Sequence, residues 1–142
     1  MALPQHLQLQ IVSTDRALVN ETVDEVEIPG ADGYFGVLPG HTPLLAMLGA
    51  GELWYRQGPG DANRQYLAIA FGFAEVTPDR VVILAETAER AQEIDRARAE
   101  AAKKQAEHHL MTAVEMDAER ARIALMKALI RLQVAGRVRM QS

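Results

Sequence analysis

The chain has 142 residues, 49% of them apolar, with 15 Lys+Arg against 19 Asp+Glu, four His, one Trp and no cysteine. That length is enough to bury the core of one domain, or of a small domain with an appendage. The net charge of −4 argues against a general nucleic-acid binder, and the missing cysteines exclude disulfides, thiolate zinc sites, iron–sulfur clusters and cysteine nucleophiles.

Leu7, Leu9 and Ile11 alternate with polar neighbours, as a strand with one buried face requires. Val26 and Ile28 alternate with Glu25 and Glu27 in the same way, and Pro29-Gly30 and Asp32-Gly33 supply turns. Further strands are predicted at Leu53–Arg56, Gln65–Ala70, Gly72–Val76 and Arg80–Ala85, with a hairpin tip at Gln57–Asp61. Short strands with frequent turns and no helical period predict an antiparallel β-sandwich. Beyond it, Ile94 and Asp95 read as a staple residue and an N-cap, opening a helix that runs to about Leu110. A turn is expected within Met111–Met116. A second helix then runs from about Asp117 to Ala135, stopped by Gly136 at the C′ position. Ala97, Ala101 and Ala102 on the first helix face Ala121, Ala124, Ala128 and Ala135 on the second, flanked by Leu125, Leu129 and Leu132. Small side chains let two antiparallel helices approach closely while burying little apolar area. The pair is therefore expected to be easily prised apart.

Composition divides the chain near Thr87. All seven aromatics, all six prolines and nine of ten glycines precede Asp79. Through Glu86 there are 4 basic and 11 acidic residues, and from Thr87 onward 11 basic and 8 acidic. Two modules are expected: a β-sandwich over 1–86 and a helical hairpin over 87–142.

No catalytic constellation emerges. Ser13 and Ser142 are the only serines, and Ser13 lacks a G-x-S-x-G context. His108 and His109 are adjacent, so they do not share a helix face and make a poor metal pair; no metal site is expected. The glycines around Gly30–Gly36 lead into strands, with no Gly-Lys-Ser/Thr of a phosphate loop. No apolar run approaches the ~20 residues of a spanning helix. Met1–His6 lack the basic start and apolar stretch of a signal peptide. A soluble intracellular protein without membrane insertion is expected.

The segment Gly33-Tyr34-Phe35-Gly36-Val37-Leu38-Pro39-Gly40-His41-Thr42-Pro43-Leu44-Leu45 resembles the central loop of the ε subunit of bacterial F-type ATP synthases, the counterpart of the mitochondrial δ subunit. Ile11–Arg16, Val23–Pro29, Gly72–Val76 and Ala85–Ala91 are similar in the same order. The resemblance implies about ten strands in the sandwich, followed by the helical hairpin. It also implies a non-catalytic rotor subunit of a proton-translocating synthase, peripheral on the cytoplasmic face. Such a subunit grips the γ subunit, rests on the c-ring and couples ring rotation to ATP synthesis. Residues Gly33, Tyr34, Phe35, Gly36, Leu38, Pro39, Gly40 and His41 would contact γ and the ring. The hairpin would inhibit ATP hydrolysis by extending along γ, with Arg120, Arg122, Lys127 and Arg131 docking on the α and β catalytic subunits. Tyr34 stands where relatives carry an acidic or small polar residue, and Phe71 replaces the first glycine of a Gly-Gly pair; a local packing adjustment is expected at Phe71.

Ile94-Asp95-Arg96-Ala97-Arg98-Ala99 matches the I-D-x-x-R-A motif by which some ε subunits bind ATP between the folded helices. The resemblance implies a regulatory ATP, not a required cofactor, at Glu89, Asp95, Arg98, Ala99, Lys127 and Arg131. The arginine forks would suit phosphate, and the carboxylates the adenine amine or ribose. Gln105 replaces one further arginine. Read from the residues alone, Asp95 is an N-cap, Arg98 a surface or hairpin ion pair, and the cations of the second helix a solvated face. The alternative function is a free-standing β-sandwich adaptor with a helical docking arm.

Overall fold

In β1 (Leu7–Ser13), Leu7, Leu9 and Ile11 are fully buried while Gln8, Gln10 and Val12 between them are partly covered, the period-2 pattern of a strand with one face on the core. The computed structural model describes residues 3–112 and 114–141, with the side chains of Met116 and 139–141 left outside. Ser142, Ala113 of the expected turn and the Arg139 side chain thus lie beyond the described residues. After β1 come β2 (Ala17–Val23), β3 (Glu25–Gly30), β4 (Gly33–Val37), β5 (Leu44–Arg56), β6 (Arg64–Thr77) and β7 (Arg80–Arg90). They form one sheet in the order β2-β1-β7-β6-β5-β3-β4. Pairing is antiparallel except between β1 and β7, which run parallel from Gln8 opposite Arg80 to Ser13 opposite Ala85. The expected antiparallel sandwich is thus found, with this one parallel pair as its departure.

Seven strands replace the expected ten because three of them serve both layers. In a regular strand, residues of one parity share a face. In β6 the core receives Leu67 and Ile69, then Ala74 and Val76, so the parity flips between them. In β5 it flips between Leu48 and Leu53, and in β7 between Ala85 and Ala88. A flip in each of three adjacent strands lets the sheet fold across itself without a break. The result is visible at the edges: β2 and β4 end opposite sides of the sheet, yet Val19, Val23 and Val37 join one buried cluster. Phe71 and Gly72 make the β6 flip at φ +63° and +115°. Phe71, expected to need a local packing adjustment, is the one non-glycine residue with positive φ among the described residues.

The composition change at Thr87 falls inside β7, where Ala70 and Ile69 of β6 face Thr87 and Ala88, and Ala68 and Leu67 face Glu89 and Arg90. Sheet gives way to helix only after Arg90, through a short 3-10 turn at Ala91–Glu93. Pairing carries the strand four residues past the 86/87 division of charge and composition. Arg90 also donates to the Leu18 carbonyl at 2.9 Å and to the Tyr55 hydroxyl at 3.4 Å.

Helix α1 (Arg96–Thr112) opens as expected: Asp95 Oδ1 accepts from the Arg98 amide at 3.0 Å, the geometry of an N-cap. Helix α2 (Glu115–Gln141) passes through Gly136 without stopping. Gly136 keeps φ outside the left-handed region and meets nothing that a side chain would clash with, so it serves as an ordinary helical residue. The two helices pack antiparallel along Ala99 and Ala106 of α1 and Ala118, Ala121 and Ala128 of α2, all buried. Ala97 and Ala101 point to solvent instead, whereas Ala102, the third expected residue, is half-buried and lines a cavity with Ala124 and Ala128 of α2.

Between β2 and β3, Asp24 accepts from the Gly58 amide at 2.6 Å and pairs with His6 at 2.8 Å. The amide first, and His6 second, hold its carboxyl below the ordinary value of 3.8. A depressed carboxylate contributes stability that is present above its unfolded value and disappears as pH falls through the folded one. Urea midpoints should therefore drop on acidification below about pH 4. The drop should be smaller in Asp24→Asn, and equal losses in the two proteins would count against this anchor.

Candidate functional site

Among the described residues, the sandwich core contains none beyond Ala88. The helices meet the sheet through a second, smaller cluster: Tyr66 and Ala68 of β6, Ala91 and Val134, with Trp54, Ile94 and Ile130 packed around them. Tyr66 and Ala68 have the parity opposite to core-facing Leu67 and Ile69, so β6 is covered on both faces here. At ~1.5–3 kcal/mol for each fully buried large side chain, a seam with so few of them is weak beside the main core.

Within this seam lies a cavity of about 310 Å³ between Ala68–Ala70, Thr87–Glu89 and the facing sides of the helices. Glu89, Lys127 and Arg131 line it, and Arg131 Nε stands 2.6 Å from Glu89 Oε1. Lys127 Nζ also lies 5.7 Å from the Phe71 ring centroid, a cation–π distance. The other members of the sequence-read ATP set are elsewhere. Asp95 is spent capping α1, Arg98 is exposed outside the cavity, and Ala99 is fully buried in the helix–helix seam. The structure thus brings together three of the six. Arg120 and Arg122 are both exposed, Arg122 pairing with Glu119 at 2.9 Å and Arg120 lining a cleft near the hairpin elbow with His109 and Asp117.

The expected contact loop is in part a strand. Gly33–Val37 forms edge strand β4, and only Leu38–His41 is a turn, tied down by Gly40 N–H to the Pro78 carbonyl at 2.7 Å. Tyr34 reaches over β3, where its hydroxyl accepts from the Glu52 amide of β5 at 3.1 Å. Gly51 leaves the space: a Cβ there would overlap the Tyr34 hydroxyl and lie 2.7 Å from Pro29 Cβ.

Two features went unread in the sequence. The first is an apolar row on the outer face of the sandwich, where Met47, Phe73 and Leu84 stand opposite one another on β5, β6 and β7, each at least half exposed, with Leu45 beside them. Apolar residues at both parities of three strands were its signal. The second is the ion pair of Glu52 with Arg137, two Arg137 nitrogens meeting the carboxylate at 2.8 and 3.0 Å. These residues are 85 positions apart, and no local pattern links them.

Among the described residues no helix is long and apolar enough to cross a membrane, and no group of three or more His, Asp or Glu could hold a metal. The class defined by these features is a rigid sandwich carrying a separately packed helical hairpin. Residues 6–91 match the beta-sandwich domain of the ATP synthase Delta/Epsilon chain, and residues 92–136 match its long alpha-helix domain. The chain belongs to the ATP synthase delta/epsilon family. It is 45% identical over 137 residues to an ATP synthase epsilon chain of Syntrophotalea carbinolica, covering 95% of this chain and 97% of that one. It is 50% identical over 105 residues to that of Koribacter versatilis, covering 74% and 72%. Among solved structures, a chain of the Euglena gracilis mitochondrial ATP synthase (OSCP, F1 and c-ring) superposes with a TM-score of 0.80 at 25% identity, over 95% of this chain and 84% of that one.

Proposed function

We propose that this chain is a rotor subunit of a proton-translocating F-type ATP synthase, peripheral on the cytoplasmic face, coupling c-ring rotation to synthesis through γ and restraining hydrolysis with its C-terminal helices. The observation that carries this is the separation of the two packing units. A core closed without the helices can bear torque, and a hairpin held by a thin seam can leave it. The row of Met47, Phe73 and Leu84 supports a partner on the outer face, since contiguous exposed apolar surface is unusual on a free monomer. The exposed turn around Leu38 supports a second contact, toward the ring. In the extended posture, Arg120, Arg122, Lys127 and Arg131 would meet acidic surface on the catalytic subunits.

The test is capture of γ. The wild-type chain should co-elute with co-expressed γ, and Met47→Glu with Phe73→Glu should weaken capture at least tenfold without shifting the unfolding midpoint. A chain with no affinity for γ would favour the free-standing adaptor.

We propose the cavity between sheet and hairpin for a regulatory ATP, supported by its cationic lining and a volume at the lower end of the ~300–1,000 Å³ of small-molecule sites. Lys127 and Arg131 supply the cations for phosphate, and Glu89, released from Arg131, an acceptor. ATP that bound the docked hairpin a hundredfold better than the free one would favour docking by about 2.7 kcal/mol. Arg131→Ala should cost roughly 1.5–3 kcal/mol of ATP affinity, the scale of a charge-assisted bond. Arg98→Ala, outside the cavity, should cost less; calorimetry giving wild-type affinity for Arg131→Ala would remove the site.

A further inference from the structure

Glu52 is the one charged side chain that is buried among the described residues, at 7% exposure. Its carboxylate takes both arms of the Arg137 fork: Nη2 donates to Oε1 at 2.8 Å and Nε to Oε2 at 3.0 Å. The same guanidinium lies 4.8 Å from the Tyr66 ring centroid. A planar, weakly hydrated cation suits such a site, because it can fork onto a carboxylate and stack on an aromatic face at once. Two features fix Glu52 in place: β5 pairs it with Ala68 of the seam, and its amide donates to the Tyr34 hydroxyl.

Position along the helix gives the pair its meaning. Ile130, Val134 and Arg137 follow helical spacing on the face of α2 that meets the sheet, so Arg137 closes the seam at its far end. It is also the first residue past the family's helical match, which ends at 136. The apolar seam is small, so a directional contact at its end has leverage on whether the whole hairpin stays down. The Arg137 guanidinium is held above its ordinary pKa, chiefly by the hydrogen bonds it donates to Glu52.

We propose that Glu52, Arg137 and Tyr66 form a latch that holds the end of α2 on the sandwich and sets the fraction of molecules with the hairpin docked. The latch rests on the reading that the hairpin can leave the sheet. Undocking exposes Glu52 to water and frees Arg137 for another carboxylate, so the latch and any acidic surface on a partner compete for one cation.

The intact chain carries its own probe. Trp54 is the only tryptophan and packs at this seam, so its acrylamide quenching reports docking. With no native cysteine, a spin-label pair at Ala62→Cys and Glu107→Cys, both exposed, measures the separation of hairpin and sandwich directly. Arg137→Gln should raise the undocked fraction at least tenfold, and Glu52→Gln should match it. The double variant should be no worse than either single one, and Arg137→Lys, which keeps the charge but loses the fork, should fall between. Val134→Asp, which breaks the apolar seam, is the companion variant. If Val134→Asp undocks the hairpin and Arg137→Gln does not, the latch is wrong while the mobile hairpin stands. If neither variant changes the distance, both ideas fall. The sandwich melting transition, unchanged in Arg137→Gln, separates undocking from unfolding.

Discussion

Gly72→Ala is expected to be the most damaging single-methyl change in the sandwich. At φ +115° an L side chain is strained before it touches anything, and a Cβ there would overlap the Leu84 carbonyl oxygen and stand 3.0 Å from Ala85 Cα. Those atoms belong to the backbone of β7, directly opposite in register, and cannot rotate away. Left-handed strain of ~1–3 kcal/mol and overpacking of a further ~1–3 kcal/mol together approach the whole stability of a marginal domain, about 5 kcal/mol. The expected loss is about 3–5 kcal/mol, a fall in melting temperature of roughly 15 °C or more for a domain of this size. Gly33→Ala is the control: its φ is +133°, but nothing lies within 4 Å of the added methyl, so only the backbone term applies. Similar melting curves for the two variants would show that β6 and β7 need not approach so closely at the flip.

The same residues show what a linear reading can and cannot see. Alternation in Leu7–Ile11 and around Val26 and Ile28 exposes a strand with one buried face, and an aspartate before an alanine-rich run exposes a helix start, because both are local effects. The first half of β5 was hidden. Leu44, Leu45 and Met47 are apolar at both parities, and Gly49 and Gly51 resemble turn punctuation. The glycines instead make room for close neighbours, Gly49 for the Gly30 backbone and Gly51 for Tyr34 and Pro29. Gly136 misleads in the opposite direction: it looks like a stop, but the helix continues and Arg137 beyond it is anchored on the sheet. Of the ATP set, Glu89, Lys127 and Arg131 converge because sheet and hairpin face each other. The Asp95–Arg98 motif is occupied by the start of its own helix.

Charge division carried more structural content than its use as a boundary suggested. The acidic sheet and basic hairpin predicted two modules. In the fold the pair of Glu52 with Arg137 follows that asymmetry, and Glu89, counted with the basic half but lying in β7, adds a second bond from sheet carboxylate to α2 guanidinium at Arg131. A third pair, Arg16 with Glu93, has the reverse sense and ties β1's end to the 3-10 turn before α1. Under the latch proposal the pairs on α2 would be exchanged for carboxylates on another protein, which apolar burial alone would not permit so readily.

A chain ending at Glu93 should release hydrolysis in the assembled synthase while keeping its place on γ. The cut must fall there and not at Thr87, because Thr87–Arg90 are still paired with β6, and Arg90 bonds the Leu18 carbonyl and the Tyr55 hydroxyl. Cutting at Glu93 keeps every residue of the main core. The cost is exposure of Tyr66, Ala68 and part of Trp54, on the order of one or two buried side chains, or ~2–5 kcal/mol by area, much of it regained by hydration of Glu52 and Glu89. The truncated chain should therefore fold and capture γ as the full chain does. Removing α2 also removes Arg120, Arg122, Lys127 and Arg131, the cations that the proposed function would dock on the catalytic subunits, so under that proposal ATP hydrolysis by the complex should rise several-fold. Arg137→Gln in the full-length chain should act the opposite way, lowering hydrolysis by freeing the hairpin to extend. Unchanged hydrolysis in the truncated complex, with γ capture intact, would mean that the hairpin exerts no brake in this enzyme and that its seam with the sheet has a purely structural purpose.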